Sequence, residues 1–209
     1  MTRDKHAKRG YEVTYQWVMQ LLQTCDFEEH AARLGLRCPG RDKAAVDFLG
    51  RTYLITKDAV TLTEQRVPWA VGAEGFEYNL KSVLGYYLLS DCAAEPAGDF
   101  CPMTHFSHGV FDNRPLSGGS LEAAYKDGEK LGRAGEKLGF TREKPGHWRY
   151  TLLPKVPIKI IYYEGDDEYP ANIQVLFDKT VIQFYKFEPL AVLHLCFREG
   201  LAAVGNPIL

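Results

Sequence analysis

The chain has 209 residues, of which 45% are hydrophobic and 12% aromatic. These fractions are ample for a packed core and exclude disorder of the whole chain. The formal net charge of −2 gives no long-range field that favours nucleic acid or an anionic membrane, so neither is predicted as a partner. No segment approaches the roughly 20 apolar residues of a membrane span.

The N-terminus has no apolar core typical of a secretion signal, so we expect a cytoplasmic protein. We also expect a flexible basic N-terminus over residues 1–10 and a single domain over residues 11–209. Five cysteines are scattered along the chain without a C-x-x-C pair. This pattern indicates reduced thiols rather than a disulfide framework, and it leaves the cofactor unknown.

Two helices are predicted at the start of the domain. Apolar residues at helical spacing predict a helix over 11–25. Asp26 and Gly35 are typical of the start and end of a second helix, over 28–34.

The pattern then changes from strands to a helix. Cys38–Pro39–Gly40 predicts a break, and alternating residues from Val46 to Leu62 predict three short antiparallel strands. An apolar stripe predicts a third helix, over 75–90, that lies on this sheet.

A long segment rich in Gly, Pro, Ser and Asp spans residues 93–119. A loop of this length is usually functional, disordered or hiding a short element, and 104–111 is the candidate for a hidden strand. Ser120 and Gly139 predict the ends of the next helix. Three glycines favour either a break in this helix or close packing on a neighbour: Gly128, Gly132 and Gly135.

The last third predicts a sheet closed by a helix. Four apolar and aromatic runs with short connections indicate antiparallel strands: 148–153, 157–164, 172–177 and 181–185. Both faces of the second run are partly apolar, so we expect it to be central. A final helix is predicted over 189–203. The expected fold is α+β: a mostly antiparallel sheet, with an N-terminal meander and a C-terminal four-strand meander, packed against several helices.

The segment CPMTHFSHGVFD carries a candidate metal site: Cys101, His105, His108 and Asp112. Thiolate, imidazole and carboxylate are ligands of zinc and related metals. On a strand His105 and His108 would point to opposite faces, whereas on a turn they could converge. The alternatives are a surface loop with locally bonded histidines, or a ligand pocket lined by His105, His108 and Arg114.

Two further segments have simple structural explanations. Glu164–Glu168 holds four carboxylates in five residues, but it lacks the ligand spacing of a calcium loop and predicts a hairpin turn. Ser117–Ser120 could bind an anion at a helix start, yet neither a Walker pattern nor G-x-G-x-x-G is present. We expect an ordinary turn and an ordinary helix entry.

The chain resembles an uncharacterised prokaryotic family known only as a domain of unknown function, met mostly in anaerobic bacteria and methanogens. The residues that carry the resemblance are Phe48–Arg51 with Tyr53, the helix 80–89, Val156 to Asp166, Glu168–Ala171, Leu176–Asp178 and Leu190–Leu193. Some relatives carry a ferredoxin-like iron–sulfur segment, which this chain lacks. The resemblance implies an accessory role in anaerobic redox or one-carbon metabolism, and it supplies no catalytic residues.

Two function classes remain open at this point. The first is a non-enzymatic accessory protein that binds a small molecule or a protein partner. The second is a metal-dependent enzyme or metal carrier that uses the Cys/His segment.

Overall fold

The computed structural model describes residues 9–107 and 120–206. Within them the chain forms seven α-helices: α1 (Gly10–Leu22), α2 (Phe27–Leu34), α3 (Phe76–Leu88), α4 (Ser120–Ala124), α5 (Gly128–Leu138), α6 (Val181–Phe184) and α7 (Phe187–Gly205). The strands of this part of the chain are β1 (Arg37–Gly40), β2 (Lys43–Phe48), β3 (Arg51–Thr56), β4 (Val60–Gln65), β5 (Phe100–Pro102), β6 (Thr141–Lys144), β7 (His147–Leu153), β8 (Val156–Tyr163) and β9 (Asn172–Asp178).

The first sheet is an antiparallel meander with the order β1-β2-β3-β4. Its central hairpin pairs Phe48 with Arg51, and the two residues between them have positive φ angles, 47° at Leu49 and 73° at Gly50. Two consecutive left-handed residues match the twist of a two-residue hairpin. A Cβ at Gly50 would lie 2.7 Å from Val67 Cγ2, so glycine is required there by both conformation and space.

The second sheet has the order β5-β9-β8-β7-β6, and every pairing in it is antiparallel. Strand β8 is central, as its two apolar faces predicted. In register, Ile158 lies opposite Phe177, and Ile160 lies between Trp148 and Val175. These side chains therefore share one face, which is the buried face of the sheet.

Helix α7 lies at the centre of the molecule, packed against α3, α4 and α5. Its apolar side chains belong to one contiguous core that also includes residues of both sheets. The sheets approach each other where β2 lies next to β7. Among the described helices, none is both long enough and apolar enough to cross a bilayer.

The α+β class, the two meanders and the helices over 11–25, 28–34, 75–90 and 189–203 are confirmed within a few residues. The glycine-rich helix is broken, as one alternative predicted, and Asp127 caps its second half by accepting from Glu129 N at 2.7 Å.

The predicted strand over 181–185 is wrong: Val181–Phe184 is one helical turn, α6. Asp178 Oδ1 accepts from Thr180 N and Thr180 Oγ1, which turns the chain just before it. A short apolar run cannot distinguish a strand from a buried turn. The four consecutive strands of the C-terminal meander are β6–β9 instead, beginning at Thr141.

Two other expectations need correction. The predicted break at 38–40 lies in strand β1. In the described part of the long segment, the short strand β5 precedes a single 3-10 turn, Met103–Phe106, so the start of the strand predicted over 104–111 is wrong, and its residues 108–111 lie outside the described residues.

Candidate functional site

A groove of about 690 Å³ lies between α5 and the neighbouring ends of β6, β7 and β8. Aromatic side chains, three glycines, a proline and charged side chains line it: Asp127, Gly128, Glu129, Gly132, Arg133, Glu136, Phe140, Arg142, Pro145, Gly146, Trp148, Tyr162 and Glu164. Helix α5 forms one wall of this groove, and the β6–β7 hairpin contributes to the opposite wall.

Glycine brings α5 onto the aromatic rings of the sheet. A Cβ at Gly128 would lie 2.9 Å from Tyr162 Cδ1, and a Cβ at Gly132 would lie 3.6 Å from Trp148 Cζ2. The helix backbone therefore lies directly over these two rings at positions four residues apart. Larger side chains at these positions would occupy the space beside the rings.

The rings are held from the sheet side. Trp148 lies opposite Ile160 in the ladder and is only 5% exposed. Tyr162 donates its hydroxyl to the Lys126 carbonyl at 2.8 Å, just before α5, and burial raises the pKa of its phenol. The aromatic surface of the groove is thus fixed before any ligand arrives.

Charged side chains line the outer part of the groove, and carboxylates outnumber guanidinium groups. The four carboxylates belong to Asp127, Glu129, Glu136 and Glu164, and the two guanidinium groups belong to Arg133 and Arg142. Arg133 pairs with Glu129 at 3.6 Å, whereas Arg142 has no ion pair among the described residues. The groove therefore combines apolar rings with a net acidic rim.

A second polar cluster lies on the same face of the sheet but is closed. Arg198 on α7 donates to Glu122 Oε1 at 2.6 Å and to the Ile173 carbonyl at 3.1 Å. One turn earlier, His194 is 9% exposed, and its ring lies edge-on to Phe177 at 5.7 Å. Neither ring nitrogen of His194 has a hydrogen-bond partner in the part of the chain that the structure describes.

Burial lowers the pKa of His194 to about 3, and the nearby positive charge of Arg198 acts in the same direction. The imidazole is therefore neutral at physiological pH. Glu122 Oε2 is also buried without a partner among the described residues. The cluster is polar and costly to bury.

The sequence-predicted Cys/His segment is only partly described. Cys101 is buried on β5 opposite Phe177, and burial raises the pKa of its thiol. His105 is exposed in the 3-10 turn and lies edge-on to Phe106 at 5.6 Å. His108, Asp112 and Arg114 fall outside the described residues, so this site stays a prediction. Within the described ranges, no three histidine, cysteine or acidic side chains converge as a metal site.

The acidic segment Glu164–Glu168 forms the predicted turn. Asp166 Oδ1 accepts from the backbone N–H groups of Glu168 and Tyr169 at 2.9 and 2.7 Å. These bonds lower the pKa of Asp166, as expected for a carboxylate that organises a turn.

A comparison with known families assigns the chain. Residues 26–199 match the sequence profile of a family described as "Domain of unknown function (DUF3786)". This chain belongs to that family. The match confirms the predicted relationship to an uncharacterised family, and it spans every residue that lines the groove. No curated protein and no solved structure matches the chain.

The sequence indicated the helix of the groove but not the groove itself. Gly128 and Gly132 are four residues apart, and close packing on a neighbour was one of the two alternatives that the glycines of this helix left open. Their aromatic partners lie on different strands, so only the register of the sheet brings Trp148 and Tyr162 beneath the same helix. His194 lies within the helix predicted over 189–203, and the sequence analysis did not single it out.

Proposed function

We propose that this member of the family is a binding protein whose groove takes a small molecule with a flat ring system and a positive charge. The observation that supports the proposal is the pair of rings beneath glycines of α5, beside a net acidic rim. The accessory role in anaerobic redox or one-carbon metabolism is part of this proposal and rests on the sequence resemblance alone.

The size of the groove supports a small molecule. Ligand pockets usually have volumes of roughly 300–1,000 Å³ and combine apolar walls with a few polar groups. The groove of about 690 Å³ falls within this range. Trp148 and Tyr162 form the largely buried apolar floor of the groove, and the glycines of α5 leave space for a flat ligand beside the edges of the rings.

The charge of the rim supports a cation over an anion. The negative charge of Glu129 offsets the positive charge of Arg133, with which it pairs. The remaining rim charges are three carboxylates and one guanidinium group: Asp127, Glu136, Glu164 and Arg142. Each exposed charge contributes little by itself, and raised salt should weaken binding.

The test compares two flat fluorescent probes and two substitutions at one position. Thioflavin T is an aromatic cation, and anilinonaphthalene sulfonate is an aromatic anion. Wild type is expected to bind thioflavin T more tightly. Gly132→Leu should weaken that binding by at least about tenfold, or 1.4 kcal/mol, because its side chain fills the groove over Trp148.

Gly132→Ala is the matched control. Its Cβ would make an ordinary contact of 3.6 Å with Trp148, so binding should stay close to that of wild type. Equal affinity of wild type and Gly132→Leu for thioflavin T would contradict the groove as the site. Tighter binding of the anionic probe would contradict the proposed charge of the ligand.

A second proposal concerns the segment that begins at β5. Cys101 and His105 are four residues apart, and His108, Asp112 and Arg114 follow in sequence. A metal or polar ligand held by this segment would make the protein a metal carrier or metal-dependent enzyme. Metal analysis of protein purified without oxygen tests this: a stoichiometric metal that a His105→Ala, His108→Ala double variant loses supports it, and metal-free wild type rejects it.

A further inference from the structure

The charges on the rim of the groove are separated along helix α5. Gly128 lies over Tyr162, and Gly132 lies over Trp148. At a rise of about 1.5 Å per residue, these two contacts are about 6 Å apart along the helix axis. The groove therefore has two ends, which we call the Tyr162 end and the Trp148 end.

The Tyr162 end is acidic. Asp127 directly precedes Gly128 at the start of α5, and Glu164 follows Tyr162 by two residues, just after β8. Burial raises the pKa of the Tyr162 phenol, and the negative charges of Asp127 and Glu164 raise it further. Both carboxylates thus act at the same ring, and this end suits the positive charge of a ligand.

The Trp148 end carries both guanidinium groups of the groove. Arg142 lies directly opposite Trp148 in the pairing of β6 with β7, so the two side chains are on the same face of the sheet. Arg133 is paired with Glu129 at 3.6 Å, and Glu136 lies one turn of α5 further on. Arg142 forms no ion pair within the described ranges. Its guanidinium group is therefore available to a ligand.

We infer that the ligand of this groove is a zwitterion: a flat ring compound with a cationic group at the Tyr162 end and a carboxylate that accepts hydrogen bonds from Arg142 at the Trp148 end. The inference rests on the proposed function and adds the second charge of the ligand. A guanidinium group presents its N–H donors in a fixed fork that matches the two oxygens of a carboxylate.

A carboxylate fits this rim better than a phosphate does. A phosphate group carries about two negative charges at neutral pH, and one unpaired guanidinium group would have to balance both of them beside the rim carboxylates. A carboxylate carries a single charge, which Arg142 balances alone. Since Arg142 is exposed, water screens this contact, and the selectivity that it provides is moderate.

Displacement of thioflavin T tests the inference with two naphthalene compounds. The first carries an aminomethyl group at one end of the rings and a carboxylate at the other. The second is its methyl ester, which keeps the cation and lacks the anion. Wild type is expected to bind the zwitterion at least about threefold more tightly than the ester, although the net acidic rim favours the ester.

Three variants assign this preference to its residues. Arg142→Gln should weaken the zwitterion by at least about threefold without weakening the ester. Lys144→Gln is the matched control, because Lys144 is exposed on the same strand, carries the same charge and does not line the groove. It should keep the preference of wild type. Glu164→Gln should weaken both compounds, since both carry the cation.

Two results overturn the inference and leave the proposed function standing, provided that Gly132→Leu still weakens thioflavin T. One is a zwitterion that fails to displace thioflavin T or binds no more tightly than the ester. The other is an equal loss of preference in Arg142→Gln and Lys144→Gln, because net charge alone would then explain it. If Gly132→Leu leaves thioflavin T binding unchanged, the proposed function fails, and the inference fails with it.

Discussion

Helices α7 and α5 lie on the same face of the C-terminal sheet, yet they contact it in opposite ways. Helix α7 buries large apolar side chains, with Leu193, Phe197 and Leu201 fully inaccessible to solvent. Helix α5 meets the rings of Tyr162 and Trp148 with glycines and leaves the groove beside them. We call the half of the sheet under α7, which large side chains fill, the closed half. We call the half under α5, which borders the groove, the open half.

The difference separates stability from binding within one layer of the fold. Large side chains fill the space under α7, so substitutions there should change the free energy of unfolding. Gly128 and Gly132 of α5 leave space for a ligand, so substitution of either glycine by a larger residue should change the binding affinity before it changes stability.

The closed half should be sensitive to the loss of a single side chain. Leu193→Ala is expected to lower the free energy of unfolding by about 3–4 kcal/mol, because it removes buried methyl groups and leaves a cavity. Urea unfolding followed by circular dichroism measures the change. A loss below about 1 kcal/mol would show that this half is not closely packed.

The ion pair of the closed half should be strongly coupled. Arg198→Met or Glu122→Leu alone is expected to cost about 3 kcal/mol, since each removes one side of an ion pair in a largely buried position. The double variant should cost less than the sum of the two single variants, because the Arg198–Glu122 pair is removed as a whole. A double-mutant cycle by urea unfolding measures the coupling, and additive losses would contradict it.

His194 should make the closed half sensitive to acid. Its pKa is about 3 in the folded state and about 6.5 in the unfolded state. Between these values only the unfolded chain binds the proton, so the free energy of unfolding falls as pH falls from about 6.5 towards 3. The loss is about 1.4 kcal/mol per pH unit, or about 2 kcal/mol at pH 5.

His194→Phe removes this titration. The variant should therefore lose about 2 kcal/mol less stability than wild type between pH 7 and pH 5. Urea unfolding at the two pH values measures the difference. Equal losses in the two proteins would show that solvent or a partner reaches the imidazole in the folded state.

The open half provides a matched pair of glycines with opposite expectations. Gly132→Ala should raise the free energy of unfolding by about 0.5–1 kcal/mol, because alanine favours the helix and its Cβ has room. Gly135→Ala should lower it by about 1–3 kcal/mol, because its Cβ would lie 2.6 Å from Phe140 Cδ2. Thermal unfolding of the two variants measures both signs, and a shared sign would contradict the packing of α5.

The sequence predicted those parts of the fold that local patterns determine. Asp26 and Gly35 cap α2 as expected, and the two-faced apolar pattern of β8 marked the centre of its sheet. The sequence did not predict strand β6, because Thr141–Lys144 is exposed throughout and has no apolar alternation. Val181–Phe184 was misassigned because four apolar-rich residues fit either a strand or a helical turn.

The candidate site was harder to predict because it depends on long-range register. The spacing of Gly128 and Gly132 indicated close packing but not the partner. Trp148 and Tyr162 are on separate strands, and their place beneath α5 follows from the pairing of β7 with β8. The isolation of the His194 imidazole likewise depends on α4, α7 and β9 meeting in the core.

The most direct test of the central claim follows the indole N–H signals of Trp17, Trp69 and Trp148 by nuclear magnetic resonance while thioflavin T is added. Trp69 donates to the Leu49 carbonyl at 2.9 Å and Trp17 lies on α1, so neither should respond. The Trp148 signal alone is expected to shift in wild type and to stay in place in Gly132→Leu. Probe binding that leaves Trp148 unmoved, or that shifts it equally in both proteins, would contradict the groove as the binding site.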